Sequence, residues 1–457
     1  MLKKTRFLDP GRVFLAVGFS LCLFSNTVWA QQQGYPNPTT PQPLASGENV
    51  QGGVLTPPSL LDLVSSRISE YSRTDLAHGL YFETLDGKPL LETNPDAAYN
   101  PASVTKIMTT LAVLERYSPN YRYTTRLSYT GSFDRERQTL VGDLVIESNY
   151  DPTLNYDSLF YIAEKLNEAG ISTVEGNILV SSGLILNLRK SGVAAGNEIL
   201  TTLDKARWTK ASESAWKYYL QAKAAAKMKI DSTEFRGVTF VSGKVLADDV
   251  SQPRKRLMEY HSAPILKVIK VMNAYSNNDM AHLLGRLVGG PSGVQDFMIR
   301  RVKLAPGEIR LESTSGLGSN AITPRGTVKL MRYAHNWCEK NRIAMTDLMP
   351  IGGVDNGTLA DRFKRSDLVG SVVAKTGTLS NVSALAGVMF TKARGPVFFA
   401  ILERGYPGSM RRLQEEIISL VAADSGGGLG IAYGSEMGMS LVEDARVYIL
   451  REETSRN

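Results

Sequence analysis

Asn100-Pro101-Ala102-Ser103-Val104-Thr105-Lys106 leads into the strongest helical pattern of the chain, carried by Ile107, Met108, Leu111, Ala112 and Leu114. Ser103 and Lys106 stand three residues apart, so at the start of that helix they share one face. A serine hydroxyl so placed can pass its proton to the amine if the lysine is neutral, and burial or a second nearby cation favours the neutral form. The helix N-terminus adds N–H groups and positive potential near a developing oxyanion. Taken alone, the motif reads more readily as an N-cap serine followed by a solvated lysine. Ser214-Ala215-Trp216-Lys217 repeats the pattern and reads as helix surface.

Two later motifs change the reading. Ser276-Asn277-Asn278 sits between the amphipathic run Ile265–Tyr275 and the apolar run Met280–Val288, where it can present a hydroxyl and an amide to a cleft or serve as a helix N-cap. Lys375-Thr376-Gly377, followed by Thr378, ends the apolar run Val372-Val373-Ala374. On an edge strand beside a cleft, the Lys375 ammonium and the Thr376 and Thr378 hydroxyls would bind a carboxylate, and Gly377 would admit substrate backbone. The motifs follow one another at spacings of 173 and 99 residues. Together, Ser-x-x-Lys, Ser-x-Asn and Lys-Thr-Gly are the set found in penicillin-binding proteins and class A β-lactamases.

The chain resembles the D-alanyl-D-alanine carboxypeptidase/endopeptidase family of low-molecular-mass penicillin-binding proteins, which carries extra domains between the first two motifs. The resemblance also rests on Asp151-Pro152-Thr153-Leu154, on the loop Leu348–Leu359 (LMPIGGVDNGTL) and on Ala374–Gly387 (AKTGTLSNVSALAG). It is strong over 75–155 and 262–402. Departures are equally specific. Glu312-Ser313-Thr314-Ser315-Gly316-Leu317-Gly318 replaces the usual Asp-Gly-Ser-Gly-Leu-Ser, displacing or removing an acid at the floor of the site. Ile178-Leu179-Val180-Ser181-Ser182 lacks the Asp that relatives use toward the stem side chain.

The implied fold class is α/β (α+β): a transpeptidase domain with an antiparallel sheet flanked by helices, a helical subdomain and a small inserted α/β domain. The implied chemistry is acyl transfer on peptidoglycan stem peptides, without cofactor or metal. Ser103 would be the nucleophile, Lys106 its base, and Ser276 a proton relay to the leaving amine. Asn278 would bind the acyl-side amide, and Lys375, Thr376, Gly377 and Thr378 would line the carboxylate subsite. The backbone N–H groups of Ser103 and Thr378 would form the oxyanion hole. β-Lactams would trap Ser103. Arg362, in Thr358-Leu359-Ala360-Asp361-Arg362, is a candidate contact for an acidic stem group or a surface arginine. Two alternatives are a β-lactamase or serine esterase of the same fold, and a catalytically weak cell-envelope binding protein.

Composition sets the frame. With 43% apolar and 21% charged residues among 457, the chain has the balance of a globular protein. Residues 1–30 read as a secretory signal: Lys3, Lys4, Arg6 and Arg12, then the apolar stretch Val13–Phe24, then Val28-Trp29-Ala30. Removing it takes away four bases and one acid, reducing the formal +7 to about +4, too mild an excess to suggest nucleic acid. The expected destination is the periplasm or cell envelope, with room for peripheral association with membrane or wall. Residues 31–58 read as a Pro/Gly/Gln-rich linker. The peptidase domain is expected over 59–135 and 255–424, the insert over 136–254, and a tail of unassigned role over 425–457. Cys22 leaves with the signal, and Cys338 reads as a buried, inert thiol. His78, His261, His282 and His335 show no metal-ligand spacing, though His282 could face the cleft from one turn beyond Asn278.

Overall fold

The computed structural model describes residues 58–71, 77–248, 252–365, 367–431 and 440–450. The signal expected over 1–30 and nearly all of the linker lie outside the described residues.

A five-stranded antiparallel sheet organises the peptidase part, in the order Val372–Leu379, Val382–Thr391, Gly395–Arg404, His78–Thr84, Pro89–Thr93. Residues 78–93 and 372–404, far apart in sequence, therefore build one sheet. Side chains alternate faces along each strand. Val373, Ala384, Ala386, Val388, Phe398, Ala400 and Leu402 enter the core shared with the helices Thr105–Arg116, Ile265–Tyr275 and Pro324–Asn341. Ala374, Leu385, Met389, Val397, Phe399 and Ile401 enter a second core under Leu60–Tyr71 and the C-terminal helix Pro407–Asp424. A sheet buried on both faces explains why its strands read as nearly continuous apolar runs. The strand Val372–Leu379 forms one edge of the sheet, and Cys338 is buried, reduced, in the helical core.

The insert has its own core and a six-stranded mixed sheet, in the order Val245–Ala247, Ile178–Val180, Leu144–Glu147, Thr124–Tyr129, Lys255–His261, Arg446–Ile449. Phe160 anchors its aromatic centre, 5.2 Å from the ring of Trp216 and 5.4 Å from that of Phe235. Thr124–Tyr129 and Lys255–His261 pair with each other in this sheet. It thus takes in residues on both sides of the expected boundaries at 135 and 255. The segment left unassigned by sequence supplies the last strand, Arg446–Ile449, antiparallel to Lys255–His261.

The Asp151-Pro152-Thr153-Leu154 element is buried. One oxygen of Asp151 accepts from the amide and the hydroxyl of Thr153 (both 2.8 Å), while the other, like the hydroxyl of Tyr123, has no hydrogen-bond partner among the described residues. Burial pushes the Asp151 carboxyl up to about 6. A folded-state value above the unfolded one means that the native state takes up a proton. This group therefore favours folding most below about pH 4, and the contribution is lost as pH rises through about 6. Asp151→Asn, which keeps an acceptor for Thr153, is expected to raise stability by about 2–3 kcal/mol at pH 7.5. The gain should shrink toward zero near pH 4, as read by urea unfolding at both pH values.

Candidate active site

The turn carrying Ser103 is built by short contacts. Ala102 holds a positive φ of 43°, its N–H donates to Asn100 Oδ1 (2.8 Å), and the Val104 N–H donates to the Pro101 carbonyl (3.0 Å). Residues Ala102–Val104 form a 3-10 turn that runs into the helix Thr105–Arg116. A non-glycine residue in the left-handed region immediately before a candidate nucleophile is strain stored at the site. Two glycines permit the packing around it. A side-chain carbon at Gly316 (φ +95°) would stand 1.9 Å from the Ala102 carbonyl oxygen, and one at Gly377 would stand 2.5 Å from that of Pro101. The sequence reading gave Gly377 to substrate backbone; its close neighbour is instead the Pro101 carbonyl of the serine turn.

Lys106 is fully buried, with Nζ 2.9 Å from Ser103 Oγ, 2.7 Å from Asn278 Oδ1 and 2.7 Å from the Ser315 carbonyl oxygen. Burial pulls its amine down to about 7. A neutral amine has two N–H donors and one lone pair. The Ser315 carbonyl and Asn278 Oδ1 can only accept, so they occupy the two N–H groups and leave the lone pair for the Ser103 hydroxyl. That is the arrangement of a general base toward a serine.

Ser276 closes the helix Ile265–Tyr275 in the left-handed region (φ 58°), its N–H bonded to the Met272 carbonyl. The N-cap of the next helix, Asn278–Arg286, is Asn277, whose side chain accepts from the Met280 N–H at 2.9 Å. Capping thus falls to the middle residue of the motif and leaves Ser276 and Asn278 to face the two lysines. Lys375, also fully buried, donates to Ser276 Oγ (2.9 Å) and to the Thr376 carbonyl (2.7 Å). Burial first, and then the neighbouring Lys106, lower its amine well below the usual lysine range. The sequence allowed either burial or a second nearby cation as the cause of a neutral Lys106; the cause that acts on Lys106 is burial. Thr376 is half-buried and Thr378 exposed. The structure therefore gathers Ser103, Lys106 and Asn278 into one hydrogen-bonded group and Lys375 and Ser276 into a second, with Lys106 close enough for its charge to act on Lys375.

Arg362 is not part of it. It is 8% exposed and donates to Glu415 (2.8 Å), to Gln414 Oε1 (3.2 Å) and to the Arg411 carbonyl (3.2 Å), all on the C-terminal helix. Neither earlier reading of Arg362, stem contact or surface arginine, holds. Glu312 is exposed and accepts from the Ser319 N–H (2.8 Å), so the floor beneath Lys106 is the Thr314–Ser315 backbone rather than an acid. His282 is exposed, with Nδ1 3.4 Å from Thr314 Oγ1, and Ser214 and Lys217 lie on the exposed side of a helix.

Sequence reasoning missed the brace behind the site. Lys270 donates to Asp355 (2.6 Å) and to the carbonyls of Thr346 and Met349 (2.7 and 2.8 Å), and Asp355 accepts from the Ile351 N–H (2.9 Å). Lys270 is on the helix that ends at Ser276. The loop it grips also bonds the edge strand, through Ala374 N–H to the Pro350 carbonyl (3.1 Å). This buried ion pair thus holds Ser276 at a fixed offset from Lys375. The only local signal for it was Asp355 in a loop already noted for its resemblance.

A serine–lysine pair at a helix start, faced by a second lysine on an antiparallel edge strand, defines an active-site serine acyl-transfer enzyme of the penicillin-binding type. The chain belongs to the D-Ala-D-Ala carboxypeptidase 3 (S13) family, whose sequence model matches residues 73–191 and 211–424. It is 31% identical over 185 residues to the D-alanyl-D-alanine carboxypeptidase DacB of Haemophilus influenzae, covering 37% of this chain and 38% of that protein. To a carboxypeptidase of Mycobacterium tuberculosis it is 24% identical over 368 residues, covering 71% and 75%. Among solved structures, a predatory endopeptidase of Bdellovibrio bacteriovorus in complex with an immunity protein superimposes with a TM-score of 0.69 at 19% identity. That match covers 80% of this chain and 99% of the other.

Lys270→Met leaves Asp355 buried without its cation and is expected to destabilise the protein by about 3–5 kcal/mol. Lys270→Met/Asp355→Asn should recover part of that loss in urea unfolding, because the uncompensated charge is gone.

Proposed function

We propose that this protein is a serine D-Ala-D-Ala carboxypeptidase and D,D-endopeptidase acting on peptidoglycan stem peptides through an acyl-enzyme. The observation that carries the reading is the buried Lys106, whose Nζ stands 2.9 Å from Ser103 Oγ and 2.7 Å from two obligate acceptors, Asn278 Oδ1 and the Ser315 carbonyl. Ser103 Oγ attacks the carbonyl of the penultimate D-Ala as Lys106 accepts its proton. The C–N bond then breaks, and the proton reaches the departing amine through Ser276, which Lys375 orients. The Ser103 and Thr378 amides hold the oxyanion, while Asn278 receives the acyl-side amide. Lys375, Thr376 and Thr378 receive the terminal carboxylate. Water then takes the place of the amine and releases the shortened peptide. With a cross-linked stem as leaving group the same steps are an endopeptidase reaction.

Relatives' descriptions support this reading: carboxypeptidases of the D-Ala-D-Ala class, and a Bdellovibrio endopeptidase described as acylated by penicillin G. We place the protein in the periplasm or cell envelope, on the strength of the signal-like residues 1–30. Its mild positive charge suits contact with an anionic wall or membrane surface.

Wild type is expected to release one D-Ala from a pentapeptide stem and to be labelled by a fluorescent penicillin. Ser103→Ala should do neither, and equal digestion by both proteins would remove Ser103 as nucleophile. The acylation rate should rise about tenfold per pH unit below pH 7 and level off above it, because only neutral Lys106 accepts the proton. Stopped-flow labelling between pH 5 and 9 reads this directly.

A further inference from the structure

Arg411 stands in the second turn of the C-terminal helix Pro407–Asp424, and its Nη2 donates to Thr378 Oγ1 at 3.3 Å. It makes no ion pair among the described residues. The acid four residues on, Glu415, is the natural helical partner for Arg411, but it is occupied by Arg362 at 2.8 Å. The helix start around Arg411 is also uncompensated. Its N-cap, Tyr406, makes no side-chain capping bond, and no acid occupies its first turn. A cation close to a helix N-terminus opposes the helix dipole, and an anion there would relieve both.

The geometry aims this charge at the edge strand. Gln414, three residues along the same helix face, donates to Ser383 Oγ (3.0 Å), and Ser383 is the register partner of Thr378. The helix is thus fixed against this part of the sheet, and Arg411 reaches the exposed end of the Lys375–Thr378 segment. Arg362 shares this arrangement from the buried side: by holding Glu415 it leaves Arg411 unneutralised.

We propose that Arg411 is a specificity residue that binds the free carboxylate of the leaving D-amino acid, together with the Thr378 hydroxyl, and that Arg362 positions it by withholding Glu415. The proposal rests on the reading of the site as a D,D-peptidase. A guanidinium offers two parallel N–H donors to a carboxylate, whereas a primary amide presents one acceptor and no charge.

The test compares kcat/KM on a peptide ending in D-Ala-D-Ala with the same peptide ending in D-alaninamide, for wild type, Arg411→Ala, Arg411→Lys and Arg362→Met. Wild type should favour the free acid. Arg411→Ala should cut that preference about 10- to 100-fold, mainly through a higher KM for the acid, with the amide within about twofold of wild type. Arg411→Lys should restore part of the preference. Arg362→Met, which frees Glu415 to pair with Arg411, should lower the preference without abolishing penicillin labelling. An unchanged acid-to-amide preference in Arg411→Ala overturns the proposal, as does an equal loss on both substrates. If wild type cleaves neither peptide while remaining folded, the peptidase reading fails and this proposal falls with it.

Discussion

Two lysine amines buried close together set the terms for everything around them. Lys106 and Lys375 are both withdrawn from water; burial lowers the proton affinity of each amine, and for Lys375 the neighbouring Lys106 lowers it further. Such a pair is tolerable only if every N–H finds an acceptor and at least one amine is neutral. The surrounding backbone is shaped to that end. The strained Ala102 places the serine, the left-handed Ser276 turns its hydroxyl to Lys375, and the Ser315 carbonyl fills a hydrogen bond that no side chain supplies. Glycines at 316 and 377 let these segments approach closer than any side chain would allow.

Much of this was legible in the sequence. The three motifs name the five side chains grouped at the site, and the apolar run Val372–Ala374 marked the strand that carries Lys375. What was not legible depended on partners far away in the chain. Nothing local in Thr124–Tyr129 or Lys255–His261 says which sheet they join, so they read as part of the peptidase although they pair inside the insert. The strand Arg446–Ile449 is short and mostly exposed, and its apolar pattern is too weak to mark it. Lys270 looked like one polar position in an amphipathic helix, and only the fold brings Asp355 to it.

Arg362 shows the same limit from the other side. Its closeness in sequence to a loop of the site suggested a substrate contact, yet the chain turns it inward onto the C-terminal helix. Arg411 drew no notice because it belongs to no motif. Its significance comes from a vacancy: the acid that helical spacing would give it is already taken. A charge without an ion pair among the described residues, set beside the edge strand, is a spatial property, and no reading of spacing along one element can reveal it.

The lysine pair also gives substrate a part in making its own catalyst. A carboxylate arriving beside Lys375 stabilises the protonated form of that amine. Once Lys375 is charged, protonation of Lys106 becomes less favourable, because the two sites titrate as a coupled pair. In the proposed reaction, a proton held on Lys375 would meet the carboxylate and leave Lys106 the lone pair that Ser103 requires. A ligand without that carboxylate would leave Lys375 without this counter-charge. Discrimination for a free C-terminus and activation of the nucleophile would in this way be a single electrostatic event, read at one end of the pair and used at the other.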